Sequence, residues 1–341
     1  MAKETNLVTI ENALQLQSGG YPLGVSCGIG TDSVAILVEM ARRGIQPDFV
    51  VFADTGAEKP LTYGYYSVLS QWLQDHGMPE CVVVRRKPTT NTRGTYSTLF
   101  GQCLVNKTLP SLAFGFKKCS NKWKVEPMRY YERNSWVFNA LKVGPGRAII
   151  KAIGYDAGPK DSRRGTDSKP DGRYLYTYPL RDWNIDRDQC KKIISSAGLP
   201  DPEKSACFFC PASSVEDIRE VCSKWPQLGR GIIMMEANAW DTLKKIRGLW
   251  SHDRKGFRSV KKPGSMTEFI VGEELLPEFV GQCWVQPWWQ WEGKQPDNPN
   301  LDTFTPQKAM DVMARYLKAN PSESPQIHEL KENEELLEAL I

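Results

Sequence analysis

The sequence predicts a doubly wound α/β domain with a mostly parallel sheet and a mainly helical C-terminal region. Three observations predict it. Short β-branched runs alternate with stretches of helical apolar spacing, a glycine-rich turn joins the first strand to the first helix, and glycine closes two of the helices. Strands that alternate with helices pair in parallel through right-handed crossovers, because a twisted strand feeding a right-handed helix packs back onto the sheet only that way.

The elements follow in order. Tyr21 to Ser26 is apolar and runs into the turn CGIG, and Ser33 to Arg43 (SVAILVEMARR) has helical spacing, a basic last turn and Gly44 as its stop. Phe49 to Ala53 (FVVFA) reads as a second strand, Tyr63 to His76 as a second helix and Cys81 to Val84 (CVVV) as a third strand. Ala148 to Ile153 (AIIKAI) supplies a further strand, and Asp186 to Ala197 a helix closed by Gly198. An N-terminal extension (residues 1–19), the α/β domain (20–213) and a helical region (214–341) follow as the expected divisions. The stretch GPKDSRRGTDSKPDGRY after Ala157 is expected to be a mobile surface loop or lid. Helices are expected from Val215 to Leu249, and the acidic terminal stretch HELKENEELLEALI is expected to pack its leucines on the body.

With 341 residues, 40% of them hydrophobic, the chain can bury a sizeable core. No apolar run is long enough to span a bilayer and the first residues lack the pattern of a signal peptide, so a cytoplasmic protein without membrane contact is expected. Nine cysteines, an odd number in a large chain, point to reduced thiols or metal ligands rather than disulfides. The formal charge of +4 is too small to imply nucleic acid by itself. Lysine and arginine are nevertheless clustered. Lys117, Lys118, Lys122, Lys124 and Arg129 lie on one segment, and Arg247, Arg254, Lys255, Arg258, Lys261 and Lys262 on another, with Trp123, Trp250 and Phe257 among them. Such mixtures contact polynucleotides or form solvated faces, and the lysines of the first segment are expected to serve ATP or a cluster's anionic charge about as often as a polynucleotide. The three histidines, His76, His252 and His328, lie in no motif and are expected at surface or packing positions.

The loop GVSCGIGTDSVAIL lacks the lysine of one well-known phosphate loop and the third glycine of the other. Between a strand and a helix, Gly28 and Gly30 still permit close backbone approach. The amides of Thr31, Asp32 and Ser33 would lie at a helix N-terminus, where an anion is stabilised, and Ser26, Thr31 and Ser33 add hydroxyls. A plain β-α turn capped by Asp32 is the alternative. The second strand ends FADTGAEKPLTY, bringing Asp54 and Thr55 out beside the first loop, where open α/β sheets bind ligands.

SCGIGTDS together with FADTGAEKPLTY resembles the PP-loop ATP pyrophosphatase superfamily, in the branch related to phosphoadenosine phosphosulfate (PAPS) reductase. IGYDA at 153–157, the pair Arg163 and Arg164, YPLRDW at 178–183 and GLPDPEKSACFFCPAS at 198–213 fit the same branch. The resemblance implies an adenine nucleotide alpha-hydrolase-like fold that holds ATP with its phosphates on residues 26–33. It further implies Mg2+, with Asp54 orienting metal or nucleotide, Arg163 or Arg164 helping the triphosphate, and Asp32 capping the loop. The chain departs from the branch in two ways. Thr31 stands where many relatives carry lysine, and the C-terminal E-C-G-hydrophobic-H motif of PAPS reductases is absent. The last cysteine, Cys283, sits in GQCWVQPWWQW, where burial among tryptophans is expected.

Cys207 and Cys210 form a C-x-x-C, and Cys103 and Cys119 lie upstream. Four thiolates can complete a zinc site or a cubane cluster; unrelated buried cysteines or a redox dithiol at 207 and 210 are the alternatives. CSNKWKVEP and SACFFCP are similar to segments of PAPS reductase-like relatives, including DNA-phosphorothioation sulfurtransferases, which are iron-sulfur proteins. That resemblance implies a [4Fe-4S] cluster in preference to Zn2+. Cys27 is expected as a small residue within the loop, and Cys81, Cys190 and Cys222 as core. The function so implied is an ATP-dependent adenylating sulfurtransferase acting on DNA or RNA, supplied by a cysteine desulfurase or another sulfur donor. A PAPS or adenylylsulfate reductase, and a nucleotide-binding subunit of a nucleic-acid modification or defence complex, are the alternatives.

Overall fold

The computed structural model describes residues 6–134, 148–159, 161, 164, 173–244, 246–251 and 264–276. Its centre is a five-stranded sheet built from β1 (Leu23–Ser26), β2 (Phe49–Asp54), β3 (Cys81–Arg85), β6 (Ile149–Ile153) and β7 (Tyr174–Thr177). All neighbours are parallel and the order is β3-β2-β1-β6-β7. The chain therefore winds outward from β1 in one direction, then returns and winds outward in the other. The expected doubly wound sheet is present, with its switch point between β1 and β6.

Parallel strands buried on both faces read as continuous apolar runs, and β2 is buried at all six of its positions. One face packs against α1 (Ile10–Ser18), α2 (Thr31–Arg42), α3 (Pro60–Asp75) and the helix Arg187–Ser196, through residues such as Ile36, Leu69, Ile150 and Ile194. The other face, with Phe49, Val51 and Ile149, packs against Met128 and Tyr131 of α6 (Glu126–Asn134). Residues 6–8 run beside β7, where the Val8 amide donates to the Tyr176 carbonyl at 2.9 Å, and the Ile10 amide donates to Asp182 Oδ2 at 2.8 Å. Burial of Ile10 and Ala13 thereby ties α1 into the same core.

A second core lies beside the sheet. It joins α4 (Leu99–Val105), Trp123, the Phe208–Phe209 pair and the helices Val215–Lys224, Pro226–Ala239 and Met266–Gly272. Between β3 and α4 an antiparallel hairpin of β4 (Thr89–Asn91) and β5 (Gly94–Tyr96) projects outward. After α5 (Lys118–Ser120) a π-helical turn at Asn121–Val125 leads directly into α6. Several expected features hold. His76 stacks on Trp72 with ring centroids 3.9 Å apart, and Cys27, Cys81, Cys190 and Cys222 are buried. Of the features expected beyond Leu276, the Cys283 segment and the acidic terminal stretch lie outside the described residues. Among the described residues no helix is long and apolar enough to cross a membrane.

Gly24 of β1 stands opposite Phe49 of β2, and a Cβ there would lie 2.1 Å from the Phe49 ring. Gly24→Ala should therefore lower stability by about 1–3 kcal/mol through overpacking, read as a lower midpoint in chemical denaturation.

Candidate nucleotide site and thiol cluster

The loops that leave β1 and β6 meet at the switch point. Gly154, just after β6, passes so close to α2 that a Cβ on it would lie 3.0 Å from the Ser33 amide nitrogen and 3.1 Å from the Asp32 carbonyl carbon. The β1 loop is itself folded tightly. Ser33 Oγ accepts from the amides of Gly28 and Gly30, each at 3.2 Å, and donates to the Gly30 carbonyl at 2.9 Å. Ile29 between those glycines has φ 53° and is buried. A β-branched residue in the left-handed region is strained, and such strain persists only where the surroundings over-determine the backbone.

A cavity of about 760 Å³ opens at this junction. Its walls include Ser26, Gly28, Gly30, Thr31, Asp32 and Ser33 from the β1 loop, and Gly154, Tyr155, Asp156 and Gly158 from the β6 loop. Asp161, Arg164, Arg187, Lys204, Ser205 and Lys124 complete the polar lining. Every expected phosphate-loop residue from Ser26 to Ser33 thus reaches one cavity. Ser26 Oγ is buried there without a partner. Thr31 is turned aside, its hydroxyl lying 3.3 Å from both Asp201 Oδ1 and the Pro202 carbonyl.

Asp32 does not cap the loop as expected; Ser33 does that. The Asp32 carboxylate instead faces Asp156 and Asp161, and one oxygen from each of the three lies within 4.8 Å of the others. Burial raises the Asp32 pKa, while Arg187, with Nη1 2.5 Å from Asp32 Oδ1, works in the opposite direction. Asp156 Oδ1 accepts from the Gly158 amide at 2.7 Å, and Arg164 pairs with Asp161 at 3.1 Å. Arg181 of YPLRDW stacks on Tyr178 and donates to the carbonyls of Asp161 and Arg164, which fixes that segment. Three carboxylates so placed could hold a divalent cation through oxygen ligands, with Arg164 and Arg187 offsetting their charge. The expected Arg164 therefore lines the cavity, whereas Arg163 lies outside the described residues.

Asp54 and Thr55 take other places. Neither lines the cavity. The buried Asp54 carboxylate accepts from the Gly56 amide at 2.7 Å, from the Tyr63 hydroxyl at 2.8 Å and from Arg85 Nε at 2.7 Å, so it organises the turn after β2. Thr55 Oγ1 lies 3.3 Å from Cys207 Sγ. The DTGAE element thus clasps the C-x-x-C turn. Glu58 and Cys207 form an isolated antiparallel bridge, and the Phe208 amide donates to the Ala57 carbonyl at 3.0 Å.

Cys103, Cys119 and Cys207 all pack on the second core, and Cys210 closes a turn with its amide on the Cys207 carbonyl at 2.9 Å. The four thiols sense one another. Burial raises the pKa of Cys103, with Cys119 adding to it; burial raises Cys210, with Cys119 again contributing. Cys207 is pushed up by burial, then by Glu58, against the pull of Lys124. Zinc bound at about 2.3 Å by four thiolates would hold the sulfurs about 3.8 Å apart. Among the described residues only the Asp32, Asp156 and Asp161 group brings three or more ligand atoms within 4.8 Å of one another, so the thiols do not converge to zinc spacing. A cubane is the other group that four such cysteines could ligate. Lys124 joins the two regions. It lines the cavity and pairs with the buried Glu58 at 2.8 Å. Burial opposes its charge, but Glu58, Cys207 and Cys210 outweigh that and raise its pKa.

Sequence reasoning missed Asp161, Arg187, Lys204 and Ser205 as site residues, and gave Asp156 no role although IGYDA was singled out. Asp161 stands beside the expected Arg163–Arg164 pair, which was its one signal. Arg187 follows the N-cap Asp186 and gives no local sign that it crosses to Asp32.

No protein-family model matches the chain, and no curated protein matches it. Among solved structures, phosphoadenylyl-sulfate (PAPS) reductase from Candida auris, in a phosphate complex, is similar over 57% of this chain and 83% of that one. The identity is 17% and the TM-score 0.34.

Metal binding at the carboxylates tests the site. Asp156→Asn should weaken Mn2+ binding by at least about tenfold with the fold intact, measured by electron paramagnetic resonance titration. Because the raised Asp32 must lose its proton to ligate, Mn2+ binding should fade on acidification at a pH above the ordinary carboxylate value of about 4. Arg187→Met, which removes the cation opposing that rise, should move the loss to higher pH still.

Proposed function

We propose that the chain is an ATP-dependent adenylating sulfurtransferase of the PP-loop kind. The observation that carries the reading is one cavity at the switch point that joins the β1 loop to three carboxylates and, through Lys124, to the thiols of Cys207 and Cys210.

ATP would lie with its phosphates against Ser26 to Ser33, where Ser26 Oγ and the α2 N-terminus offer donors. Mg2+ would be held by Asp32, Asp156 and Asp161 and would neutralise phosphate charge. Arg164, Arg187, Lys124 and Lys204 supply the remaining positive charge around the phosphates. An oxygen of the acceptor attacks the α-phosphorus, the bond to the β-phosphate oxygen breaks, and pyrophosphate leaves with its charge stabilised by that lining. AMP on the acceptor is then a good leaving group: the terminal sulfur of a persulfide donor displaces it to form an acceptor–S–S–donor disulfide, and a second thiol of the donor attacks that bond, forming a disulfide within the donor and releasing the thiolated acceptor. The acceptor is a nucleic acid, DNA or RNA. Cys103, Cys119, Cys207 and Cys210 would hold a [4Fe-4S] cluster, which would supply sulfur-handling and electron-accepting chemistry beside the nucleotide. Glu58 and Lys124 orient this end of the site: Glu58 fixes the ammonium, and Lys124 presents it to anionic groups in the cavity.

Protein purified without oxygen should be brown and carry roughly four irons and four acid-labile sulfides per chain, and Cys207→Ser should bleach it. In the same preparation Ser33→Ala, which frees the β1 loop from its own hydroxyl, should lower affinity for a non-hydrolysable ATP analogue. Sulfite release from PAPS or adenylylsulfate with thioredoxin, without need for ATP, would contradict the proposal and favour a reductase.

A further inference from the structure

The charge of the chain is concentrated in one stretch. Residues 85–134 hold eleven lysines or arginines, two glutamates and no aspartate, a surplus of nine in a protein whose total surplus is four. The remainder is therefore net acidic. Fold and charge coincide here, because contacts join the β4–β5 hairpin to the end of α4 and to the π-helical turn, the approach to the hairpin meets α6, and α5 runs directly into the π-helical turn. Arg93 Nη1 donates to the Asn106 carbonyl at 2.6 Å and ties the hairpin to the end of α4. Lys122 lies 5.4 Å from the Tyr96 ring and so links the hairpin to the π-helical turn. Lys87, on the hairpin's approach, lies 3.1 Å from the Tyr130 hydroxyl and 4.8 Å from its ring.

Most of the positive charge on this face is not neutralised. Arg86 pairs with Glu126, Arg85 with Asp54 and Lys124 with Glu58. Lys87, Arg93, Lys107, Lys117, Lys118 and Lys122 have no carboxylate within 4.0 Å among the described residues. Large rings stand out between these cations: Phe116 is 60% exposed, Tyr130 55% and Phe114 38%. Lys118 lies 5.9 Å from the Phe116 ring. A solvated lysine face has no reason to hold bare phenyl rings in water, and an acidic protein partner would leave them without matching planar groups.

We infer that this face is a track for single-stranded nucleic acid, in which the unpaired lysines and arginine follow the phosphates and Phe114, Phe116 and Tyr130 stack on unpaired bases. Exposed rings favour a single strand over a duplex, whose bases are already stacked. The track runs to the reactive region, since Phe116 and Lys118 immediately precede Cys119, and the helical stretch continues to Lys124 on the cavity wall. The inference deepens the proposed function by giving its acceptor a surface, and its purpose rests on that reading.

The test is fluorescence anisotropy of a labelled mixed-sequence single-stranded deoxy-oligonucleotide with the full chain, alongside binding of a non-hydrolysable ATP analogue. Six phosphate contacts predict that the logarithm of the affinity falls with the logarithm of salt concentration at a slope of roughly −4. Lys117→Ala with Lys118→Ala should weaken binding and reduce the steepness of that slope by about 1.4. Phe116→Ala and Tyr130→Ala should each weaken binding by about tenfold at constant salt. All of these side chains are exposed and lie off the nucleotide cavity, so analogue binding should be unchanged in every variant. Equal or tighter binding of the matching duplex, no binding, or binding that the substitutions leave untouched would overturn the inference. Failure of the chain to bind the ATP analogue while it still binds the oligonucleotide through these residues would refute the proposed nucleotide chemistry and leave the track standing.

Discussion

Everything at the site depends on the pairing of β1 with β2 on one side and β6 on the other. Ser26 stands in register with Val51 and with Ile153, so the loops that follow β1 and β6 begin at the same height and must share the space above the sheet edge. Gly154 lets them do so, because its missing side chain leaves room for the backbone of Asp32 and Ser33. Parallel hydrogen bonding thus brings residues more than a hundred positions apart into one cavity. It also aims the N-terminus of α2, with its partial positive charge, into that cavity.

The second organising contact is the clasp between the turn after β2 and the C-x-x-C turn. The backbone bridge between Glu58 and Cys207 places a buried carboxylate beside a thiol, and burial, then Glu58, pushes the Cys207 pKa up. Lys124 is the cation that works against that rise. The cost of burying these charges is consistent with a functional pressure. A purely structural core would be at least as stable with apolar residues there.

Much of the fold was legible in the sequence because its strands are buried on both faces and therefore read as uninterrupted β-branched runs. β2, β3 and β6 lie within a residue or two of the expected spans. α3 begins at Pro60 rather than Tyr63, and proline at the first helical position was the available signal. β7 was hidden, since YLYT is four residues long and follows a segment rich in Gly, Pro and Asp. The N-terminal segment was read as an extension, because the apolar face of α1 is narrow. The glycines and hydroxyls of residues 26–33 were legible as a ligand loop. Asp54 was correctly seen as a carboxylate at a strand end, but local sequence carried no sign that Tyr63, Gly56 and Arg85 would occupy it. The carboxylate trio of Asp32, Asp156 and Asp161 exists only once the sheet has formed, so spacing along the chain could not show it.

The central claim is that the switch-point cavity binds a metal-nucleotide complex through these particular residues. A crystal grown with Mn2+ and a non-hydrolysable ATP analogue, with data collected at the manganese absorption edge, tests it most directly. The account predicts an anomalous peak ligated by Asp32, Asp156 and Asp161, with the triphosphate against Ser26 to Ser33. A nucleotide bound elsewhere, or manganese seated away from those three carboxylates, would contradict it.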